Sequence, residues 1–210
     1  MSLQLGQVAP DFTADTSKGS IHFHEWKKGK WAMLFSHPKD YTPICTTEMG
    51  AFARRKGEFD KRGTKIIGLS VDSVEDHKGW EKDIAKVGGT DVGFPIIADP
   101  GLVIAKQYGM FHPEADAKVT VRAVFLIDPN NKVRVILTYP PSVGRNVDEI
   151  LRALDALQQT DRQSVATPVD WKPGDEVVIP PSLSDDEARK LYPNGWRTVT
   201  PYLRYVPAKP

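Results

Sequence analysis

The sequence predicts an α/β protein, with a mixed β-sheet and helices on both faces of the sheet. Apolar runs rich in β-branched and aromatic residues alternate with segments of helical periodicity. Their predicted order, βαβαβαββα, favours a mixed sheet flanked by helices. At 210 residues, the chain is long enough for one substantial domain with an appendage, or for two small domains.

The first predicted strand is the apolar run WAMLFSH at 31–37, which ends at Pro38 and leads into a loop. A helix is predicted to follow from Pro43 to about Gly63. Thr42 is a residue type that caps helices, and proline is tolerated at the first helical position because its missing N–H has no partner there.

The next elements again alternate between strand and helix. TKIIGLSVD at 64–72 predicts a second strand. The spacing of Ser73 and Asp76 resembles a capping box, which opens a helix to about Gly88. Further along, a third strand is predicted at 94–99 and a short helix within 101–109.

Two β-rich runs, at 122–128 and 132–139, are separated by Pro-Asn-Asn and predict a hairpin. Asn146 is the expected cap of a last long helix. The apolar residues of that helix form one stripe, which contains Ile150, Leu151, Leu154 and Leu157.

The composition changes at about residue 161. Eight of the 17 prolines lie beyond that point, together with Trp171 and Trp196. We therefore predict two domains, 1–160 and 161–210, and expect no regular helix or central strand in the second. Its aromatic residues argue against disorder and predict that it packs on another surface, such as a partner subunit.

Charge and hydropathy exclude several classes of function. Lys+Arg number 28 and Asp+Glu number 27, so nothing favours binding to nucleic acid or to an anionic membrane. The apolar runs are far shorter than the roughly 18 residues that a membrane span needs. With no targeting pattern and a single cysteine, we expect a soluble protein of a reducing compartment, the cytoplasm.

That single cysteine, Cys45, has two interpretations. It lies at helical spacing from Met49, Phe52 and Phe59, which is typical of a residue that fills space in a core. It also lies in the first predicted turn of a helix, where free N–H groups and the helix dipole stabilise a thiolate. The two interpretations are compatible, because a sulfur that faces inward can still be reached through a narrow pocket.

The chemistry open to one cysteine is limited. Without a second cysteine there is no dithiol exchange, and no Cys-His-Asn pattern supports acyl transfer. Peroxide reduction remains, because a thiolate can attack a peroxide oxygen and become a sulfenic acid. No metal or cofactor is needed for this step. The pair His22 and His24 has ligand-like spacing, but no third metal ligand is evident, so we predict no metal site.

Thiol acidity alone does not make a fast peroxidase. Lowering any thiol pKa from about 8.5 to about 6 raises the thiolate fraction at pH 7 roughly thirty-fold. Lower nucleophilicity takes back about ten-fold. Donors must therefore stabilise the departing oxygen, and Thr42 and Arg122 are the candidates. Each also has an ordinary role, as a helix cap and as an exposed arginine at a strand end. Local reasoning cannot bring Arg122 to Cys45.

The segment 37–48, HPKDYTPICTTE, resembles the active-site segment of the peroxiredoxin family in the form carried by its one-cysteine subfamily. Similar stretches extend over nearly the whole chain, among them GQVAPDF at 6–12, RAVFLIDP at 122–129 and WKPGDEVVIPPS at 171–182. The resemblance implies a thioredoxin-like fold, with a C-terminal extension that packs across a homodimer or a higher oligomer.

The resemblance also implies roles for individual residues. Cys45 corresponds to the peroxidatic nucleophile, and Thr42 and Arg122 to the residues that contact the sulfur and the peroxide oxygens. Pro38 is expected to close the pocket and His37 to border the sulfur. Glu48 and Arg145 resemble the pair that holds the arginine network.

Two departures from relatives in the family bear on function. Some members carry a second, resolving cysteine, and this chain has none. An external thiol must therefore reduce the sulfenic acid, and glutathione, thioredoxin and glutaredoxin systems are the expected partners. Mammalian members also carry a lipase-like G-x-S-x-G segment just before the first predicted strand. The matching stretch here is 28–32, in which Lys30 stands where the serine would be, although His24 is retained. A redox sensor or chaperone-like oligomer switched by oxidation of Cys45 is the alternative to an enzyme.

Overall fold

The computed structural model describes residues 3–209 of the chain. They form two compact units, divided between Val147 and Asp148. The division therefore comes earlier than the expected boundary at 160/161. The long helix that spans this boundary groups with the C-terminal segment, because Ala156 belongs to the apolar cluster of the second unit and Gln163 donates to the carbonyl of Pro207.

The first unit contains the mixed sheet that the sequence predicts. Its seven strands lie in the order β2-β1-β5-β4-β3-β6-β7, with β3, β4 and β5 parallel and the other pairs antiparallel. The strands are β1 (Thr13–Thr16), β2 (Gly19–His22), β3 (Trp31–Ser36), β4 (Thr64–Ser70), β5 (Ile96–Ala98), β6 (Arg122–Ile127) and β7 (Val133–Tyr139).

Four helices accompany this sheet: α1 (Phe23–Lys27), α2 (Pro43–Lys61), α3 (Val74–Gly88) and α4 (Val103–Tyr108). Because side chains alternate along a strand, neighbouring residues of β3 face opposite sides. Leu34 belongs to the apolar cluster that contains Phe23 of α1 and Tyr108 of α4. Phe35 instead packs against Phe52 of α2, with ring centroids 4.6 Å apart. Helices thus cover both faces, as the sequence predicts.

The predicted elements of this unit are all present, within a few residues of their expected bounds. The capping box of α3 is confirmed, since Ser73 and Asp76 exchange hydrogen bonds between side chain and backbone. The hairpin β1–β2 and the helix α1 were not predicted. They are four or five residues long, too short for a periodic pattern to identify them.

The second unit has more regular structure than the sequence suggests. It contains α5 (Val147–Gln163), β8 (Val177–Val178), α6 (Asp185–Leu191), β9 (Arg197–Thr200) and β10 (Leu203–Val206). The three strands form an antiparallel sheet in which β10 is central. The expectation of no helix and no central strand was therefore wrong. The prolines lie between elements, as Pro193 and Pro201 do, and so interrupt no helical or ladder hydrogen bond.

The second unit also has its own apolar cluster, in which Trp171, Val177 and Val206 are almost fully buried. Trp196 packs against that cluster. None of the helices within residues 3–209 combines the length and the apolar character needed to cross a bilayer.

Candidate active site

Cys45 lies in the first turn of α2, just beyond the loop that follows β3. Pro43 occupies the start of the helix, and Cys45, Met49, Phe52 and Phe59 are all completely buried. The helical spacing therefore correctly predicted that the cysteine faces inward. Its sulfur still has a polar neighbour, which distinguishes it from a residue that only fills space.

That neighbour is Arg122, the first residue of β6. Its Nη1 donates to Cys45 Sγ over 3.3 Å. The same guanidinium donates through Nε and Nη2 to the carbonyl of Pro141, over 3.0 Å and 2.7 Å. Arg122 is 3% exposed, so it is not a solvated arginine at a strand end. The antiparallel pairing of β6 with β3 brings the two residues together across 77 positions of sequence.

Glu48 and Arg145 hold this guanidinium in place. Glu48 Oε2 accepts from Arg122 Nη1 at 2.6 Å and from Arg145 Nη2 at 2.8 Å, and its Oε1 accepts from Arg145 Nε at 2.9 Å. Arg145 also donates to the carbonyls of Ser36 and Ala123. Glu48 and Arg145, the pair that the resemblance implies, are therefore in direct contact.

Glu48, Arg122 and Arg145 are buried in one network, so the protonation state of Glu48 determines the net charge beside the sulfur. Burial opposes ionisation of Glu48, but the charge and hydrogen bonds of Arg145, with the charge of Arg122, outweigh it and lower the Glu48 pKa. Glu48 is therefore a carboxylate at neutral pH. Two arginines against one carboxylate leave a net positive charge beside the sulfur.

Thr42 stands at the N-cap position of α2, but its side chain does not cap the helix. Its hydroxyl donates to the carbonyl of Lys39 over 2.9 Å, which corrects the expected capping role. To stabilise a departing peroxide oxygen, this hydroxyl has to turn its proton away from Lys39. Thr46 braces the same turn by donating to the carbonyl of Thr42 and accepting from Trp80 Nε1.

His37 and Pro38 are buried in the loop between β3 and α2. His37 Nε2 lies 2.7 Å from Asp40 Oδ1, and the other oxygen of Asp40 lies 2.6 Å from Nδ1 of His77 in α3. Sequence reasoning missed Asp40 and His77. The spacing His37-x-x-Asp40 was a usable signal for the first, whereas only the packing of α3 brings in the second.

His37, Asp40 and Asp72 are close enough in space to suggest a metal site. The carboxylate oxygens of Asp40, one oxygen of Asp72 and Nε2 of His37 already bind protein groups, however. Both oxygens of Asp40 bind histidine rings, and Asp72 Oδ2 accepts from the Ser70 hydroxyl and from the Asp40 backbone N–H. Hydrogen bonding within the protein accounts for this cluster, and the prediction that no metal binds remains a prediction.

Access to the sulfur requires some movement, because Cys45 has no exposed surface. An open groove lies beside the first turn of α2 and is lined in part by Tyr41, Thr42, Thr46 and Trp80. Pro43 also lines this groove, whereas Cys45 does not.

The fold and the site together define a class: an enzyme that carries out redox chemistry at one buried thiol with an arginine at its sulfur. Comparison with known proteins agrees. Residues 5–136 match the AhpC/TSA family, and residues 156–195 match the C-terminal domain of 1-Cys peroxiredoxin.

Individual relatives cover nearly all of the chain. The 1-Cys peroxiredoxin of Dictyostelium discoideum is 48% identical over 205 residues, which are 98% of this chain and 85% of the relative. A structure of the C45S mutant of peroxiredoxin 6 from Arenicola marina has a TM-score of 0.94 at 43% identity, covering 99% of each chain. A structure of yeast mitochondrial 1-Cys peroxiredoxin has a TM-score of 0.92 at 48% identity, covering 98% of this chain and 100% of that one.

The chain therefore belongs to the AhpC/TSA family, in its 1-Cys peroxiredoxin branch. It is a cysteine-based peroxidase with a thioredoxin-like fold and a C-terminal extension. The resemblance seen in the segment 37–48 is confirmed over the full chain.

Proposed function

We propose that Cys45 is the residue that reduces hydrogen peroxide and organic hydroperoxides. The thiolate attacks one peroxide oxygen, so that an S–O bond forms as the O–O bond breaks, and Cys45 becomes a sulfenic acid. The observation that carries this proposal is the 3.3 Å contact between Arg122 Nη1 and Cys45 Sγ. Because Glu48 and Pro141 fix the guanidinium, its donors are in place before the reaction begins.

The departing oxygen carries the negative charge that this site stabilises. Arg122 lies at the sulfur, and Thr42 occupies the N-cap position of the helix that carries Cys45. Together they supply the guanidinium and the hydroxyl that fast peroxide reduction requires. His37 and Pro38 form the buried loop beside them, and Glu48 and Arg145 hold Arg122. At high peroxide concentration, further oxidation to sulfinic acid is the expected side reaction.

The sulfenic acid must be reduced by a thiol from outside the chain, because Cys45 is the only cysteine. The yeast mitochondrial relative is described as resolved via glutathione/thioredoxin systems, which supports thiols of this kind. We expect peroxide turnover with one or more of the glutathione, thioredoxin and glutaredoxin systems. Assays of purified protein with each system in turn test this. No turnover with any of them, while Cys45 still oxidises, would leave the redox sensor as the better interpretation.

The cytoplasm is the compartment that we propose for this reaction, because free thiols are kept reduced there. A single unpaired cysteine supports a reducing environment. Fractionation of cells that express the full chain is expected to recover it with cytoplasmic markers. Recovery with an organelle instead would contradict this proposal.

A homodimer is the proposed assembly. In the second unit, Val169 is 88% exposed and Tyr202 is 71% exposed, and apolar surface of this kind favours contact with another chain. In the first unit, β7 lies at an edge of the sheet, and no other named strand within residues 3–209 pairs with its outer side. Light scattering on a sizing column is expected to give twice the chain mass of 23.4 kDa. A monomer would contradict the proposal, and a larger multiple would indicate rings of dimers.

A further inference from the structure

Three buried side chains beside the site form a linked chain of hydrogen bonds that the proposed peroxide chemistry does not use. His37 Nε2 lies 2.7 Å from Asp40 Oδ1, and His77 Nδ1 lies 2.6 Å from Asp40 Oδ2. His77 Nε2 lies 3.1 Å from the backbone carbonyl of Ile97. His37 and His77 are completely buried, and Asp40 is nearly so.

Counting donors and acceptors fixes the protons on His77. A carbonyl oxygen only accepts, so His77 Nε2 must carry a proton for Ile97. The contact between His77 Nδ1 and Asp40 Oδ2 also needs a proton. Burial opposes ionisation of Asp40, but hydrogen bonds from His37 and His77 outweigh it and lower the Asp40 pKa. Asp40 is therefore a carboxylate that accepts from His77 Nδ1, while His77 Nε2 donates to Ile97.

The same count of donors and acceptors leaves one ring nitrogen of His37, Nδ1, free to accept a proton. Its Nε2 donates to Asp40, whereas its Nδ1 is buried and has no hydrogen-bond partner among residues 3–209. Burial lowers the His37 pKa, and the charges of His77 and Arg145 add to this against the opposing effect of Asp40. At neutral pH, His37 is thus an uncharged ring with a lone pair on Nδ1.

The His37 ring is linked to the first turn of α2 through Trp80. The His37 ring is 5.3 Å from the ring of Trp80, whose Nε1 donates to Thr46, the residue after Cys45. On its other side, His37 follows Ser36, whose carbonyl accepts from Arg145. Leaving a buried ring nitrogen without a partner costs free energy, so the position of Nδ1 calls for an explanation.

We propose that Asp40 and His77 are positioning residues, which hold His37 with its proton on Nε2 so that Nδ1 accepts the proton of the thiol that reduces Cys45. This inference rests on the proposed function. It assigns Asp40 and His77 to the reducing half of the cycle, whereas Arg122 serves the oxidising half.

The step is balanced in atoms and charge. The external thiol attacks the sulfur of the Cys45 sulfenic acid, so that an S–S bond forms and the S–O bond breaks. The thiol proton passes to His37 Nδ1 and then to the departing oxygen, which leaves as water. The external sulfur is oxidised and the Cys45 sulfur is reduced to the level of a mixed disulfide. A second thiol then releases Cys45 by thiol–disulfide exchange.

The groups that face His37 determine how the step depends on pH. They are Asp40 in the same loop, His77 from α3, Arg145 after β7, and Asp72 after β4, which holds the backbone N–H of Asp40. The positive charge of His77 helps to keep His37 uncharged. Without that charge, the pKa of His37 rises, and its base function is lost at a higher pH as the solution is acidified.

The variant His77→Gln tests this arrangement, because glutamine can still donate to Asp40 but carries no charge. Full-length protein is first oxidised with one equivalent of peroxide, and its reduction is then followed by stopped flow. With glutathione, we expect reduction to be about ten-fold slower, a part of the 10²- to 10⁴-fold that a general base contributes. The acid limb of its pH profile is expected to move to higher pH, whereas oxidation by peroxide remains close to wild type.

A second reductant separates proton transfer from simple disruption of the site. Thionitrobenzoate is an aromatic thiol that is already ionised at neutral pH, so it needs no base. We expect His77→Gln to reduce its rate much less than the rate with glutathione. The exposed residue His112 provides a matched control, and His112→Gln is expected to leave both rates unchanged.

Asp40→Asn provides a second variant in case His77→Gln does not fold. An amide can donate to His37 Nε2 and so favour the other tautomer, with the proton on Nδ1. Selective loss of the glutathione reaction is again expected. Equal loss with both thiols, or an acid limb that stays in place in His77→Gln, would overturn the inference. Failure of wild-type Cys45 to oxidise with peroxide would overturn the proposed function, and this inference with it.

Discussion

Replacing Cys45 with serine is expected to abolish peroxide consumption with every reductant. A serine hydroxyl remains protonated at neutral pH and is a much weaker nucleophile than a thiolate, so no S–O bond can form. The chain has no other cysteine that could take over the reaction. The measurement is peroxide loss under excess thiol, compared with wild type at equal protein concentration.

The structure argues that Cys45→Ser will still fold. Serine differs from cysteine only in having an oxygen in place of the sulfur, so little space is lost. Its hydroxyl can still accept from Arg122 Nη1. Thermal unfolding of the variant close to wild type is the necessary control. Peroxide consumption that survived in a folded Cys45→Ser protein would contradict Cys45 as the nucleophile.

Arg122→Ala is expected to slow oxidation of Cys45 by about a hundred-fold or more. Removal of one donor to a developing oxyanion typically costs about 10²- to 10³-fold in rate. Loss of thiolate alone cannot account for this, because a thirty-fold smaller thiolate fraction is offset about ten-fold by higher nucleophilicity. The charge on the departing oxygen, more than the acidity of the thiol, is therefore expected to determine the rate.

The contacts around Arg122 allow a rate change in Arg122→Ala to be assigned to the lost guanidinium. Arg122→Ala leaves Glu48 paired with Arg145, so no buried carboxylate is left without a partner. Stopped-flow oxidation together with titration of the thiol separates the two contributions. If the rate fell only in proportion to lost thiolate, the leaving-group argument would be wrong.

Two further variants sharpen the comparison. Arg122→Lys keeps a positive charge but lacks the planar guanidinium whose three nitrogens donate to the sulfur, Glu48 and Pro141, so an intermediate rate is expected. Arg189→Ala removes an exposed arginine that pairs with Asp186, and it is expected to leave oxidation unchanged. A loss in Arg189→Ala of the same size as in Arg122→Ala would point to a general effect of charge.

Local patterns predicted most of the first unit because its elements follow local rules. The buried strand at 31–36 is a continuous apolar run, and α3 begins at a capping box that two residues encode. The inward face of Cys45 also followed from its spacing to Met49, Phe52 and Phe59. Where elements were missed, as in the hairpin β1–β2 and the short strands of the second unit, they are too short to show a period.

Side-chain direction at the helix start was harder to predict. Thr42 has the residue type of a cap, and it does occupy the cap position of α2. Its hydroxyl nevertheless donates to Lys39, because the carbonyl of that residue lies within reach in the folded loop. Residue type thus predicted the position correctly and the hydrogen bond incorrectly.

By itself, the sequence determined the fold class, the single thiol and its place at the start of a helix, since these depend on composition and on short-range periodicity. Only the tertiary structure decided what surrounds the sulfur. Arg122 is separated from Cys45 by 77 positions and Arg145 from Glu48 by 97, and His77 reaches the loop residue Asp40 from helix α3. Such contacts arise when strands pair and helices pack, and no local pattern specifies which distant charge a buried group will meet.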